Sequence, residues 1–316
     1  MASSRKVGTN EEIATYGTGK TYTSLATWEA DTDIDLVTAT KSCVLEVYGN
    51  SYNDGNCILA GATTNTSYFR IIRPASGNKL TSGAISTKHF NYTPNNGNQL
   101  FSITEENSEI QDLVVRRYGN FNGNMNCLNT SGHNSGFVGC VAIDCANAYL
   151  AQDVVGIIIW PAEGKTSYAK NCLAHNCDGS GFALSGAIFG TYKYPVAYNC
   201  TSVGNRLYGF SGDSSTYCTC YGCGADGNSG GDFSTIALIN CSDATPTFAA
   251  GTDNFHLGAA DTVWKGADTN TGSWHSSCGY DDDVDGDTRS GSWDIGWDEY
   301  YTAGSTINPY YYYLNQ

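Results

Sequence analysis

The sequence predicts an all-β fold in which the chain winds as a solenoid of stacked parallel strands, and three observations support this. Cysteines recur in short strand-like stretches, and a polar turn rich in Gly, Asn, Asp and Ser follows each stretch. The chain has 316 residues with 37 Gly but only 6 Pro and 2 Met, which indicates many tight turns and few helices. Strand-rich units that recur every 20 to 30 residues or so are typical of β-solenoids.

The repeat is clearest in one column of side chains. Equivalent residues of successive coils stack at about 4.8 Å, so they form a file in the core. Cysteine suits such a file because it is small and readily buried. The predicted column starts with Asp112 and continues with Cys140, Cys172, Cys200, Cys218 and Cys241.

Two further columns keep step with the first. Five residues after the cysteines we expect a file of Cys145, Cys177, Asn205 and Cys223. Ten residues after them we expect a file of Leu150, Phe182 and Phe210. Three columns in one register favour a solenoid over a chance repeat.

The chain divides into three predicted regions. Residues 1–40 hold an extended arm and a short capping helix, from Leu25 to about Asp33, with Ser24 as its N-cap and Leu25 and Trp28 on one face. Residues 41–250 form the parallel β-helix. Residues 251–316 form an irregular acidic and aromatic tail that closes the helix and offers an interface.

Two segments resemble known proteins. Residues 22–30, YTSLATWEA, resemble the opening of right-handed parallel β-helix proteins common in bacteriophages and environmental bacteria. Residues 283–289, DVDGDTR, and 293–300, WDIGWDEY, resemble the segment that ends many of these helices, although Trp297 stands where they usually have Ala. The resemblance implies a right-handed β-helix. The functions it implies range from polysaccharide lyases and hydrolases to phage tail spikes, head decorations and adhesins.

An acidic run contains the strongest local motif. Spaced carboxylates followed by Gly286 fit the opening of a calcium loop, D-x-D-x-D-G. The twelfth position is Ser292 instead of a bidentate Glu, so a second interpretation stays open: a solvated turn in which Arg289 pairs with Asp294 or Glu299. Calcium is the one cofactor considered. Its candidate ligands are Asp281, Asp283, Asp285 and Asp287.

We expect no catalytic residues, but one carboxylate pair is the candidate if the protein is an enzyme. Asp153, Ser185 and Asp213 follow the column cysteines by thirteen residues. Two stacking steps would separate Asp153 from Asp213 by about 9 to 10 Å, near the upper end for an inverting glycosidase. Aspartate is also common in ordinary turns, and a register error of one residue would turn either carboxylate away.

Charge, hydropathy and cysteine content limit the classes of binding partner and the localisation that we expect. The net charge of −15 disfavours nucleic acid and anionic membrane surfaces. No apolar run has the length of a signal peptide or a bilayer span, so we expect synthesis in the host cytoplasm and reduced thiols. The pair Cys220 and Cys223 has C-x-x-C spacing, which suits zinc or redox chemistry, but no second such pair exists and core packing in the repeat accounts for these cysteines.

Aromatic residues of the tail are the candidate interface. They are Trp293, Trp297, Tyr310, Tyr311, Tyr312 and Tyr313, with Trp264 and Trp274 nearby. The leading hypothesis is a non-enzymatic virion protein of a bacteriophage, either a head decoration or a tail component, that forms a homo-oligomer, with a trimer favoured, and contacts other virion proteins. A polysaccharide-degrading enzyme and a glycan-binding adhesin are the alternatives.

Overall fold

The computed structural model describes residues 5–48, 57–75, 90–92, 99–119, 125–147, 154–188, 191–248, 257–267, 283, 289 and 292–297. The described chain begins with β1 (Glu11–Tyr16), α1 (Leu25–Thr32), α2 (Leu36–Ala39), β2 (Ser42–Val47) and β3 (Cys57–Leu59). The next coils are β4 (Arg70–Pro74), β5 (Phe90–Tyr92) and β6 (Gln99–Ile103), then β7 (Glu109–Gln111), β8 (Val114–Gly119) and β9 (Met125–Thr130).

The central coils carry the longest described run of the repeat. They are β10 (Ser135–Val138), β11 (Val141–Asn147) and β12 (Val154–Ile159), then β13 (Thr166–Lys170), β14 (Leu173–His175) and β15 (Phe182–Leu184). A short hairpin, β16 (Ala187–Ile188) and β17 (Thr191–Tyr192), interrupts the repeat. The last coils are β18 (Tyr194–Tyr198), β19 (Thr201–Val203) and β20 (Tyr208–Gly212), then β21 (Thr219–Tyr221), β22 (Gly224–Asp226), β23 (Gly231–Ser234) and finally β24 (Ala237–Ile239).

Three parallel sheets form the walls of the solenoid. The first sheet has the order β1-β2-β4-β7-β10-β13-β18-β21-β24, the second β5-β8-β11-β14-β19-β22, and the third β3-β6-β9-β12-β15-β20-β23. From β4 to β23 each coil contributes one strand to each sheet, and each strand pairs in parallel with its equivalent in the next coil. The predicted fold class, a parallel β-solenoid, is confirmed. The hairpin β16–β17 is antiparallel and lies outside the three walls.

The predicted N-terminal helix is confirmed. The Ser24 hydroxyl accepts a hydrogen bond from the Thr27 backbone N–H at 3.4 Å, which caps α1. The side chains of Leu25 and Trp28 are buried in the same core cluster as Tyr16 and Leu36. The helix thus covers the apolar interior at the N-terminal end of the solenoid, where an uncovered coil would expose its core.

The cysteine column exists, but two of its predicted members are wrong. The strand register makes the column Leu113, Cys140, Cys172, Cys200, Cys223 and Cys241, because the residues that follow each of these are paired in neighbouring strands or bridges. Asp112 instead lies at the bend with a φ of 55°, a left-handed conformation that Asp and Asn tolerate well. Cys218 precedes β21 and is buried elsewhere in the core.

Asparagine and glycine occupy that same bend in the other coils. Asn171, Asn199 and Asn240 have φ values of 48°, 47° and 52°, and Gly139 and Gly222 have 63° and 59°. A left-handed residue here turns the chain from the first sheet into the second. The Asn or Gly before each column cysteine therefore marks a corner of the solenoid.

The other two predicted columns are partly correct. The file of Cys177 and Asn205 continues to Asn228 instead of Cys223, since the Asn228 side-chain oxygen accepts the Asn205 backbone N–H at 2.9 Å. In the third sheet, Phe182 pairs with Phe210 as expected, and their rings stack with centroids 4.5 Å apart. The residue paired below Phe182 is Ile157, whereas the predicted Leu150 lies outside the described residues.

The expectation that all thiols are reduced is wrong at one place. Cys127 and Cys145 form a disulfide inside the core. The other described cysteines are free thiols, and nearly all are buried. Burial raises the pKa of Cys177 to about 12 and that of Cys218 to about 11, because a thiolate is poorly solvated there. These thiols are packing groups with little nucleophilic character at neutral pH.

Candidate functional site

The N-terminal arm lies along the outer face of the first sheet. The Arg5 guanidinium donates to both carboxylate oxygens of Asp112, with Nε at 2.8 Å from Oδ2. The Gln111 side-chain amide donates to the Lys6 carbonyl at 2.9 Å, and the Thr9 backbone N–H donates to the Ser67 carbonyl at 2.9 Å. The arm therefore connects β7 to the first strands of the solenoid.

Lys6 is a second side chain that attaches this arm to the solenoid. Its Nζ donates to the carbonyls of Asn107, at 2.9 Å, and Asn134, and lies 5.5 Å from the ring centroid of Tyr168. Burial lowers the pKa of Lys6 to about 8; nearby Glu109 opposes this shift. The contacts make the arm part of the folded domain.

Residues 257–267 and 292–297, here called the C-terminal segment, pack along the outer face of the second sheet. Trp297 is buried against Val114, Val141 and Leu173, and its backbone N–H donates to the Thr201 hydroxyl at 3.1 Å. The backbone N–H of Gly296 donates to the Gly222 carbonyl at 2.8 Å. The segment is thus attached to the solenoid by both side-chain packing and backbone hydrogen bonds.

This packing corrects the expectation that Trp293 and Trp297 face a partner. Trp293 is buried with Tyr198 and Tyr221 packed against it, and Trp264 is buried beside Ile295. These indoles cover apolar outward files of their own chain. Trp274 and Tyr310, Tyr311, Tyr312 and Tyr313 lie outside the described residues, so their assignment to an interface stays a prediction.

The acidic run is only partly described. Asp283 is fully buried, whereas Asp281, Asp285 and Asp287 lie outside the described residues. Arg289 donates to the backbone carbonyls of Asp294 and Gly296, each at 3.1 Å. The described part of the chain contains no group of three or more potential metal ligands, and calcium remains a prediction.

The C-terminal end of the solenoid differs from the helix-covered N-terminal end. β24 is the last strand of the first sheet, and Leu238 pairs with Cys220, an inward-facing residue. Ala197 and Cys220 are fully buried in this file, yet Leu238 is 46% exposed and the neighbouring Ile239 37%. Among the described residues no further strand of the first sheet covers them. This end is a candidate docking surface.

Asp213 lies at a corner between the third and first sheets. Its carboxylate accepts hydrogen bonds from the Ser185 hydroxyl and from the Gly186 backbone N–H, both at 2.6 Å. The register places Trp160 below Ser185, because Ile159 pairs with Leu184. The prediction placed Asp153 below Ser185, so the register behind the Asp153–Asp213 pair is not the one observed. Asp153 itself lies outside the described residues, and the pair stays untested.

Exposed aromatic side chains gather around Asp213, a feature that the sequence analysis missed. Trp160, Tyr192 and Tyr194 are 45%, 51% and 43% exposed. Among the described residues with large, exposed hydrophobic side chains, these three are aromatic. Tyr217 lies 4.7 Å from Tyr192 and 6.1 Å from Tyr194, measured between ring centroids. We name this surface the aromatic corner; it comprises Trp160, Tyr192, Lys193, Tyr194, Asp213 and Tyr217.

Fold and surfaces together define the class of protein, a parallel β-solenoid with residues 5–10 and 292–297 packed along its walls. The chain matches no known family model, and no curated protein is similar to it at a significant level. Within the described ranges, no helix is long and apolar enough to cross a bilayer.

Proposed function

We propose that this protein is a non-enzymatic structural component of a bacteriophage virion, a head decoration or a tail component, that acts through contacts with further copies and other virion proteins. The observation that carries the proposal is the difference between the two ends of the solenoid. Helix α1 covers one end, and the other presents the edge of β24 with exposed apolar side chains.

An exposed strand edge favours assembly. Its backbone N–H and C=O groups can pair with another chain, and natural proteins normally cover or charge such edges. Here the edge carries Leu238 and Ile239 instead of charged residues. Burial of such side chains in a contact contributes about 25 cal/mol per Å² of apolar surface.

The terminal segments support the same function. Both the N-terminal arm and the segment around Trp297 are attached along the walls by hydrogen bonds and buried side chains. A solenoid whose flanking segments are attached to its walls in this way suits the function of a stiff spacer in a virus particle. The resemblance of residues 22–30 and 283–300 to phage β-helix proteins supports the placement in a virion.

The geometry around Asp213 favours a non-enzymatic function over polysaccharide cleavage. Both carboxylate oxygens accept short hydrogen bonds from Ser185 and Gly186, which join two neighbouring coils. A carboxylate held in this way stabilises the corner. Ser185 lies directly below Asp213 and Trp160 lies two coils below it, and neither side chain offers a second acid or base.

Light scattering of the purified protein over a range of concentrations tests the proposal. We expect an oligomer, with a trimer favoured, that Leu238→Asp dissociates. Ile58→Asp is the matched control, because Ile58 is equally exposed, at 46%, but lies on the third sheet. A monomer at every concentration, or equal effects of the two variants, would overturn the assembly role.

A second measurement tests the proposal that the protein does not cleave polysaccharides. The protein is incubated with capsular and pectic polysaccharides, and new reducing ends and unsaturated products are measured. We expect neither. Cleavage that disappears in Asp213→Asn would show that the protein is an enzyme and that the structural proposal is wrong.

A further inference from the structure

We propose that the aromatic corner is a binding site for a neutral polysaccharide. Three exposed aromatic side chains, Trp160, Tyr192 and Tyr194, come from consecutive coils and from the hairpin that interrupts them. The site lies at the corner between the third and first sheets, and the proposal goes beyond a purely structural function.

The corner is built by an insertion into the repeat. The hairpin β16–β17 extends from the coil between β15 and β18 and ends at Tyr192. The Gly164 backbone N–H donates to the Tyr192 carbonyl at 2.7 Å, and the Tyr194 backbone N–H donates to the Lys165 carbonyl at 3.0 Å. Tyr192 and Tyr194 are thereby fixed to the turn that follows Trp160.

Asp213 fixes the other side of the corner. Its hydrogen bonds to Ser185 and Gly186 hold the loop that carries Tyr217, while the Lys193 backbone N–H donates to the Gly186 carbonyl at 2.9 Å. The backbone that carries the aromatic rings is thus held in place before any ligand arrives. A surface organised in advance loses less conformational entropy on binding.

The chemistry of the surface suits a sugar chain. A Tyr or Trp ring offers a flat apolar face with a polar edge, and a pyranose ring offers an apolar C–H face with hydroxyls around its rim. Lys193, whose Nζ lies 4.7 Å from the Trp160 ring centroid, and the carboxylate of Asp213 provide a donor and an acceptor for those hydroxyls. A flexible chain with several rings can contact more than one aromatic side chain.

Charge favours a neutral chain over an acidic one. The protein has a net charge of −15, which repels polyanions at long range. Lys193 is the cation of the corner, and the negative charges of Asp213 and Glu163 act on it. The corner thus has no strong local positive field to overcome that repulsion.

Binding is tested on the full chain with a glycan array that contains neutral and acidic polysaccharides, followed by calorimetry on the chains retained. We expect binding to neutral chains, weakened about tenfold or more by Tyr192→Ala or Tyr194→Ala. Ile58→Ala is the control, because it removes an equally exposed side chain elsewhere and should leave affinity unchanged. Thermal melting of each variant verifies folding.

Tryptophan fluorescence gives an independent readout. Trp160 is exposed, whereas Trp28, Trp264, Trp293 and Trp297 are buried. The bound polysaccharide should therefore protect the wild type from acrylamide quenching, and Trp160→Phe should abolish that protection. The inference fails if no polysaccharide binds, if only acidic ones bind, or if the tyrosine variants bind normally. It also fails if Tyr194→Ala changes the oligomeric state, since the corner would then be a protein contact.

Discussion

The indole ring of Trp264 occupies the space that a Cβ atom on Gly224 would need. A Cβ built on Gly224 would lie 2.5 Å from two ring carbons of Trp264 and 2.8 Å from a third. Gly224 belongs to β22 on the second sheet, and Trp264 comes from the segment that follows the solenoid. The missing side chain in the repeat is therefore what lets the C-terminal segment approach the sheet.

The first prediction concerns this contact. Gly224→Ala should reduce the free energy of unfolding by about 1–3 kcal/mol, because the methyl group overlaps the indole ring. Urea denaturation measures the loss. In a Trp264→Leu background the same substitution should cost much less, since the smaller side chain leaves room. Equal costs in both backgrounds would show that the ring does not limit the site.

The second prediction concerns the N-terminal arm. Arg5→Met should lower the free energy of unfolding by about 1.5–3 kcal/mol, because charge-assisted hydrogen bonds to the largely buried Asp112 are lost. Hydrogen exchange should increase in residues 5–10. Lys41→Met is the control: its ion pair with Glu12 is more exposed, and the expected loss is about 1 kcal/mol or less. Similar losses for both variants would contradict a special role of the arm.

The third prediction concerns pH. The pKa of Lys6 is about 8 in the folded protein, against 10.5 for an ordinary lysine, since burial disfavours its charge. Between these values Lys6 binds more protons in the unfolded chain than in the folded one, so its contribution to the free energy of unfolding rises with pH. Buried thiols with raised pKa values contribute with the opposite sign, and the comparison with a Lys6 variant removes their contribution. Relative to Lys6→Met, the wild type should gain about 1–2 kcal/mol between pH 8 and 9.5.

Urea denaturation in reducing buffer at pH 7, 8, 9 and 9.5 measures this difference. Between pH 7 and 8 the difference should change by only a few tenths of a kcal/mol, because most of Lys6 is still protonated in both states. The range stops short of pH 10 because burial raises the pKa of Tyr168 well above its usual value, which gives the opposite slope at higher pH. Parallel pH profiles for the two proteins would contradict the prediction.

The sequence predicted the stacked parallel sheets of the solenoid better than the alignment of residues between neighbouring coils. Cys140, Cys172, Cys200 and Cys241 could be aligned because short strands with regular bends repeat around them. The choice between Cys218 and Cys223 could not be made from spacing, because coil lengths differ and three cysteines lie within six positions. Strand pairing decides it, since Gly224, directly after Cys223, pairs with Thr201.

The functional surfaces were harder to predict. Trp293 and Trp297 looked available because they lie outside the repeat, but the outward file of Val114, Val141 and Leu173 is apolar and needs a cover. Inward and outward side chains alternate along each strand, so a register error of one residue would place this file in the core. The sequence alone left that register uncertain. The aromatic corner was missed because its members are distant in sequence, apart from Tyr192 and Tyr194.

The ion pair between Arg5 and Asp112 has a consequence for biosynthesis. Its two residues are 107 positions apart in the chain. During translation the arm leaves the ribosome well before the carboxylate that anchors it. The first strands can form earlier, but the arm can bind the solenoid only after β7 and Asp112 have been synthesised. The Arg5–Asp112 ion pair is therefore present only in chains that have passed this stage of translation.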